Sequence, residues 1–187
     1  MLAVAGMQGA KVIVVSAMSS LGSTSATAMI EQTWSAPELR TRELTQVVTR
    51  FSGNGLAITR SVEEKLAQAL VRRGMAAMPA YAVLTGKEQR DHITSADALR
   101  RAGCDGIITM RVLGRAEKLA WSEPIARIEA DAYSLRARRI VWAARAKSSD
   151  PRNLQQLIDD VTDVVGAALV NQDVIRPLRS RGFRGKH

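Results

Sequence analysis

Cysteine and histidine are scarce in this chain of 187 residues, which has one Cys and two His. The lone cysteine, Cys104, has no second thiol for an intramolecular disulfide, and one Cys with two His does not supply the ligands of a Cys- or His-based metal site. A free cysteine between a helix end and a strand is typically a small buried apolar side chain. We therefore expect Cys104 to belong to the core, and we expect no metal site.

The chain also lacks an apolar run long enough to span a membrane. The apolar stretch at residues 12–18 follows Lys11 and is short, and a small, polar stretch with Ala-Thr-Ala at residues 26–28 comes after it. That order is typical of a secretory signal peptide, so we interpret residues 1–28 as a degraded export signal. The alternative is a disordered leader, or a start codon assigned upstream of the true one.

Acidic residues are outnumbered, since 18 Asp and Glu face 27 Lys and Arg and the net charge is +9. Five of the cations follow the last acid, Asp173, so the rest of the chain carries only +4. Residues 174–187 are basic, hold Pro and Gly and have few apolar side chains, which predicts a disordered tail. We expect Arg176, Arg179 and Arg181 to make at most a weak contact with an anionic membrane surface. The alternative is a tail with no function.

Between these ends, the apolar pattern alternates between the helical period of 3.6 residues and the two-residue period of a strand. It predicts the order βαβαβββα, an α+β fold in which helices pack on one face of a mixed sheet, in a single domain over residues 44–173. Residues 29–43 are predicted to be an extended segment before the domain. The predicted strands cover residues 44–50, 75–84, 106–112, 126–132 and 140–147, and the predicted helices cover residues 61–74, 94–102 and 151–169.

Local signals support this order. Ser61 with Glu64 three residues later has the spacing of a capping box at a helix start. Gly103 suits the left-handed position after a helix, Asp105 suits a hydrogen bond within its own turn, and Gly106 suits a backbone conformation closed to other residues. The inward side of the last strand is predicted to hold Ile140, Trp142, Ala144 and Ala146, which assigns Trp142 to the core.

Several groups of neighbouring residues resemble parts of active sites, but none has all the features that an active site requires. The Ser-Gly-Asn-Gly turn at residues 52–55 lacks the Lys-Ser/Thr of a phosphate-binding loop. His92 beside Asp91 has no nucleophile assigned to it, and the adjacent acids Glu63 with Glu64, and Asp159 with Asp160, diverge by about 100° on a helix, which is typical of solvated faces. The sequence thus predicts no catalytic, cofactor-binding or metal-binding residues and no enzyme. An enzyme whose site has no recognisable motif stays open as a third hypothesis.

Five short segments form the most distinctive combination in the chain: residues 28–34 (AMIEQTW), 78–81 (MPAY), 102–106 (AGCDG), 107–111 (IITMR) and 140–144 (IVWAA). Together with the C-terminal helix, they resemble a family of bacterial cell-envelope lipoproteins of unknown activity. The resemblance implies a small periplasmic α/β domain that binds other envelope proteins. No cysteine precedes Cys104, so the lipid-carrying cysteine of such lipoproteins is missing from this sequence.

Two function classes follow. The leading hypothesis is a non-catalytic domain of the periplasm or cell envelope that binds an envelope protein partner, with Trp34 and Trp121 as candidate contact residues because Trp is enriched at binding hot spots. Arg176, Arg179 and Arg181 of the tail are further candidates. The alternative is a cytoplasmic module that binds nucleic acid through its basic charge. The chain has no recognisable recognition helix or aromatic strand motif, so we expect nucleic acid not to be its partner.

Overall fold

The computed structural model describes residues 28–36, 44–53, 55–86, 88, 92–113, 125–149 and 154–175. The leader before Ala28, Trp121 and residues 176–187 lie outside these ranges. No helix of the described ranges is long and apolar enough to cross a bilayer. The elements in chain order are β1 (Ala28–Ser35), β2 (Gln46–Ser52), α1 (Leu56–Arg72), β3 (Ala76–Pro79), α2 (Ala80–Val83), α3 (His92–Arg101), β4 (Gly106–Leu113), β5 (Ile125–Ser134), β6 (Arg139–Ser149) and α4 (Leu154–Asn171).

The strands form a mixed sheet in the order β1-β6-β5-β4-β2-β3. β2 runs parallel to β3 and to β4, whereas β4, β5, β6 and β1 are joined by antiparallel pairings. This arrangement confirms the predicted α+β class and the mixed sheet. It contains every element of the predicted order βαβαβββα, together with β1 and α2. The strand predicted over residues 75–84 is too long, because β3 ends at Pro79 and Ala80–Val83 form α2.

Strand β1 lies at the edge of the sheet and pairs with β6. Residues 29–43 are predicted to form an extended segment before the domain, whereas the structure makes Ala28–Ser35 part of the sheet. The pairing register shifts between Ile30 and Gln32, so that Ile30 and Thr33 both lie on the side of the main core. This bulge breaks the two-residue alternation by which a half-buried strand is recognised in a sequence.

One face of the sheet is covered by α1 and α4. The apolar stripe of α4 is buried in the main core, as its helical spacing predicts: Leu157, Ile158, Val161, Val165 and Leu169. Trp142 of β6 is fully buried in the same cluster, and its indole Nε1 donates a hydrogen bond to Gln172 Oε1 at 2.8 Å. The ring is therefore packed in the core and its N–H has a hydrogen-bond acceptor, so the assignment of Trp142 to the core is confirmed.

The other face of the sheet carries α3. Ala98 and Leu99 of this helix pack with Val48 and Cys104 in a second apolar cluster, whereas Val47 belongs to the main core. Because successive side chains of a strand point to opposite faces, α3 lies opposite α1. α1 and α4 therefore pack on one face of the sheet, as predicted, whereas α3 packs on the other face. Cys104 is buried as predicted, and burial raises the pKa of its thiol.

Helix α1 begins at Leu56, ahead of the start predicted at Ser61. The residue before it, Gly55, has a φ of 97°, a left-handed conformation that favours glycine. Ser61 and Glu64 lie inside the helix, so the predicted capping box is wrong. The first turn of α1 is mostly exposed and thus lacks the buried apolar spacing that marks the rest of the helix.

A second bulge changes the facing of Ile140. Ala132 pairs with Trp142 and Tyr133 pairs with Ile140, which leaves Val141 as the extra residue of β6. Val141 is buried, whereas Ile140 is 42% exposed and shares a face with Tyr133. The predicted inward position of Ile140 is therefore wrong, because the alternation changes phase one residue before Trp142.

The main core extends to Ile175. Leu44, Val174 and Ile175 are all almost fully buried, and the Leu44 N–H donates a hydrogen bond to the Val174 carbonyl at 3.2 Å. Leu44 and Ile175 also form a parallel bridge. The tail is predicted to begin at residue 174, whereas the structure places Val174 and Ile175 in the domain.

Candidate binding surface

The face of the sheet that carries α3 is organised in rows, since directly paired residues of neighbouring strands share a face. The row beneath α3 is apolar and consists of Val48, Ile107, Tyr133 and Ile140. The next row consists of Arg50, Thr109, Asp131, Ala143 and Trp34. Two further rows are largely charged, the first with Arg111, Glu129, Arg145 and Gln32, and the second with Arg127, Lys147 and Met29.

Ion pairs join the charged rows into a surface that we call the charged ladder, consisting of Glu31, Arg111, Arg127, Glu129, Arg145 and Lys147. Glu129 accepts a hydrogen bond from Arg111 Nε at 2.7 Å and lies 3.7 Å from Arg145 Nε. Glu31, at the β1 bulge, lies 3.6 Å from both Arg127 and Lys147. The three arginine side chains are 52–53% exposed, whereas the glutamates are 19–25% exposed. The charge presented to solvent is therefore mainly positive.

A groove of about 640 Å³ lies between α3 and the sheet, and we call it the α3 groove. Its floor is the apolar row, and Leu84 and Leu99 add to its apolar wall. Thr109 and Asp131 are polar lining residues, and Arg50, Arg100 and Arg138 also line the groove. A concave apolar site of this size with a few polar groups is typical of a ligand or peptide site.

Asp131 is the acidic residue in the floor of the groove. Burial raises the pKa of its carboxyl above the ordinary value of 3.8, and the nearby carboxylate of Glu129 adds to that rise. The positive charge of Arg111 and a hydrogen bond from the Thr109 side chain oppose it. Asp131 thus holds a costly charge beside apolar side chains, which favours a partner that donates hydrogen bonds to it.

The structure describes one of the predicted contact residues. Trp34 is partly buried on β1, opposite Ala143. It lies in the row that contains Asp131, next to the charged ladder. Trp121, Arg176, Arg179 and Arg181 lie outside the described residues, so their proposed roles stay predictions.

Glu63 departs from the interpretation of the paired acids as solvated helix faces. It is 4% exposed, its Oε1 accepts the Phe51 N–H at 3.2 Å, and its Oε2 accepts the Tyr81 N–H at 3.3 Å. Burial raises the pKa of Glu63 above 4.5, and the two backbone hydrogen bonds oppose the rise. The carboxylate therefore joins the end of β2 to α2. The neighbouring Glu64 is exposed, as predicted.

The groove residues are not predicted as a site from the sequence, although part of the signal is present in it. Alternation along β5 predicts correctly that Ile128, Ala130 and Ala132 are buried. The same alternation therefore assigns the intervening residues of β5, including Asp131 and Tyr133, to the other face. That α3 covers this part of the face depends on a contact between distant segments, which periodicity does not report.

Within the described part of the chain, no group of three His, Cys, Asp or Glu side chains is placed to hold a metal ion. Cys104 contacts Gln46 and the Ala102 carbonyl only at the long distances of sulfur contacts, 3.9 and 4.0 Å.

Comparison with known proteins defines the fold. No protein-family model and no curated protein matches the chain. Two dodecamer structures of PelC from Paraburkholderia phytofirmans, one of them a variant, match 80% of this chain and 99% of that chain, with TM-scores of 0.52 and 0.50 at 15% and 14% identity. Lipoprotein GNA1162 from Neisseria meningitidis matches 70% of this chain and 96% of that chain, with a TM-score of 0.43 and 14% identity. At these identities, the likeness to PelC shows a shared fold.

Proposed function

We propose that this chain is a non-catalytic domain of the cell envelope that binds a protein partner through the charged ladder and the adjacent Trp34. The observation that carries the proposal is the composition of this face. Trp and Arg are among the residues most enriched at binding hot spots, and here a partly buried Trp lies on the same face of the sheet as three half-exposed arginines.

The arrangement suits recognition of a protein for a further reason. Each ladder glutamate lies between two cations, which orients the long side chains before a partner arrives. Side chains that are already ordered lose less conformational freedom on binding. The mainly positive surface favours a partner whose contact surface is acidic.

The envelope location rests on the signal-like leader and on the five short segments that resemble those of envelope lipoproteins. Because the PelC structures are dodecamers, we include a second copy of this chain among the candidate partners, to be measured by light scattering of the purified protein.

The non-catalytic part of the proposal rests on the chemistry of two buried groups, Glu63 and Cys104. Both oxygens of the buried Glu63 accept backbone N–H groups, and burial keeps the Cys104 thiol protonated at neutral pH. Neither group is therefore a ready base or nucleophile.

The proposal is tested by affinity capture from separate envelope and cytosolic extracts of the native host. We expect Trp34→Ala and Arg145→Glu each to weaken retention of the captured envelope protein about tenfold, since they remove hot-spot contacts. Arg72→Glu, an exposed change on α1, is the matched control and should leave retention unchanged. Equal retention by all variants, with unchanged melting temperatures, would show that another surface binds the partner.

Nucleic-acid binding is the second candidate, favoured by the positive charge of the ladder. Phosphate contacts release counterions, so such binding falls steeply with salt. Retention on DNA or RNA that is lost in high salt and abolished by Arg145→Glu would favour it over a protein partner.

A further inference from the structure

The α3 groove combines three chemical features within one concave site. The first is its apolar floor, where Tyr133 and Ile140 meet Val48 and Ile107. The second is the partly buried carboxylate of Asp131 in the floor. The third is the set of three arginines that line it, Arg50, Arg100 and Arg138. The lining acids are Asp97, which pairs with Arg100 at 2.9 Å, and Asp131, so the lining is positive overall.

Arg138 has a backbone conformation that its side chain does not favour. It lies in the turn between β5 and β6 with a φ of 55°, in the left-handed region where glycine or asparagine is usual. Arg138 also lines the groove.

We propose that the α3 groove binds a peptide segment of the partner protein in which apolar side chains alternate with carboxylates. The apolar side chains lie on the row of Val48, Ile107, Tyr133 and Ile140. Peptide N–H groups donate hydrogen bonds to Asp131, and the carboxylates pair with Arg138 and Arg50. The proposal rests on the proposed function, because it names the chemistry of the partner segment that the domain would recognise.

The carboxylate of Asp131 favours a peptide over an acyl chain. A fatty acid has a carboxylate for the arginines and methylenes for the apolar row, but it has no donor for Asp131. Its chain would leave the carboxylate of Asp131 desolvated and without a new hydrogen bond, which is costly. A peptide supplies backbone donors at regular intervals along its length.

The test measures fluorescence polarisation of a short, terminally blocked, labelled peptide that alternates Glu and Leu, with the full chain. We expect saturable binding in the micromolar range. Peptides with Lys in place of Glu, or Ser in place of Leu, should bind at least about tenfold more weakly, because they lose the ion pairs or the apolar burial. Equal binding of all three peptides, or no saturable binding of the first, would overturn the proposal.

Two substitutions locate the binding. Ile140→Ser removes an apolar side chain from the floor and should weaken binding about tenfold. Arg138→Gly removes the guanidinium while suiting the left-handed backbone, so it should weaken binding about threefold without lowering the melting temperature. Asp173→Gly is the matched control, because Asp173 has the same φ of 55° and does not line the groove.

Two outcomes separate this inference from the proposed function. If palmitate binds more tightly than the peptide and Ile140→Ser abolishes that binding, the groove is an amphiphile site and the peptide proposal is wrong. If the groove variants bind the peptide like the wild type while Trp34→Ala still loses the captured protein, the peptide proposal fails and the proposed function stands.

Discussion

Asp131 illustrates at the scale of one residue that the two faces of the sheet have different surroundings. Its neighbours on β5, Ala130 and Ala132, are buried in the main core, whereas Asp131 points into the α3 groove. The carboxylate of Asp131 interacts with Thr109 and Arg111 on β4 and with Glu129 on β5. Burial prevails over the two stabilising contacts, so the ionised carboxylate costs stability in the folded state.

Asp131→Asn should therefore stabilise the protein in a pH-dependent way. Because the pKa of Asp131 is higher in the folded state, protonation of its carboxyl stabilises the folded state. This stabilisation is complete below pH 3.8 and is lost as the pH rises through the raised pKa. Asparagine does not ionise and retains an oxygen that accepts the Thr109 hydrogen bond. The difference in unfolding free energy, variant minus wild type, should grow as the pH rises and then become constant.

Urea unfolding of both proteins across a pH series measures this difference. The raised pKa of Glu63 acts in the same direction, but Glu63 is present in both proteins and cancels. A difference that is independent of pH, or that shrinks as the pH rises, would contradict the assigned burial of Asp131.

The turn before β4 shows what sequence reasoning finds and misses at this scale. Gly103 has the predicted left-handed conformation, with a φ of 77°. Asp105, however, accepts the backbone N–H groups of Thr45 and Gln46 and the Thr45 hydroxyl rather than bonding within its own turn. The conformation predicted for Gly106 is wrong, since its φ is not positive. Gly106 instead allows close packing, because a Cβ there would come 2.8 Å from a Leu44 methyl group and that side chain would have to shift. Turn chemistry is local and predictable, whereas a partner about sixty positions earlier is not visible in the pattern.

At the scale of elements, the strongest periodic patterns gave the best predictions. The stripe of α4 and the alternation of β5 identified their buried residues, because each repeats several times without interruption. β1 and the phase of β6 were missed, because a bulge interrupts the alternation in each. The side of the sheet on which α3 packs was also missed, since a helix pattern shows which of its faces is buried but not against what.

The C-terminal boundary gives a prediction for the elements. A chain that ends at Ile175 should unfold at the same temperature as the full chain, since residues 176–187 are predicted to be a tail. A chain that ends at Asp173 loses two buried apolar side chains that pack against Leu44 and should be destabilised by about 3 kcal/mol or more. Calorimetry of the two truncated chains makes the comparison, and equal melting temperatures would remove Val174 and Ile175 from the domain.

At the scale of the whole molecule, the two faces of the sheet have different chemistry. α1 and α4 cover one face with the main apolar core, and their exposed acids pair with cations of the same layer, as Asp159 does with Lys65. On the other face, α3 covers the apolar row, and the charged ladder continues beyond it to Trp34 and the β1 edge. This asymmetry is the reason to assign binding to the ladder and the groove.

Site-specific photo-crosslinking in the native host tests this assignment most directly. The chain offers a matched pair of exposed glutamines, Gln32 within the ladder rows and Gln155 on α4, and each is replaced in turn by a photoreactive phenylalanine analogue. We predict that the analogue at Gln32 gives a discrete crosslinked product with an envelope protein or a second copy of this chain, and that the analogue at Gln155 gives none. A product from Gln155 alone, or products only with cytosolic nucleic acid, would contradict the account.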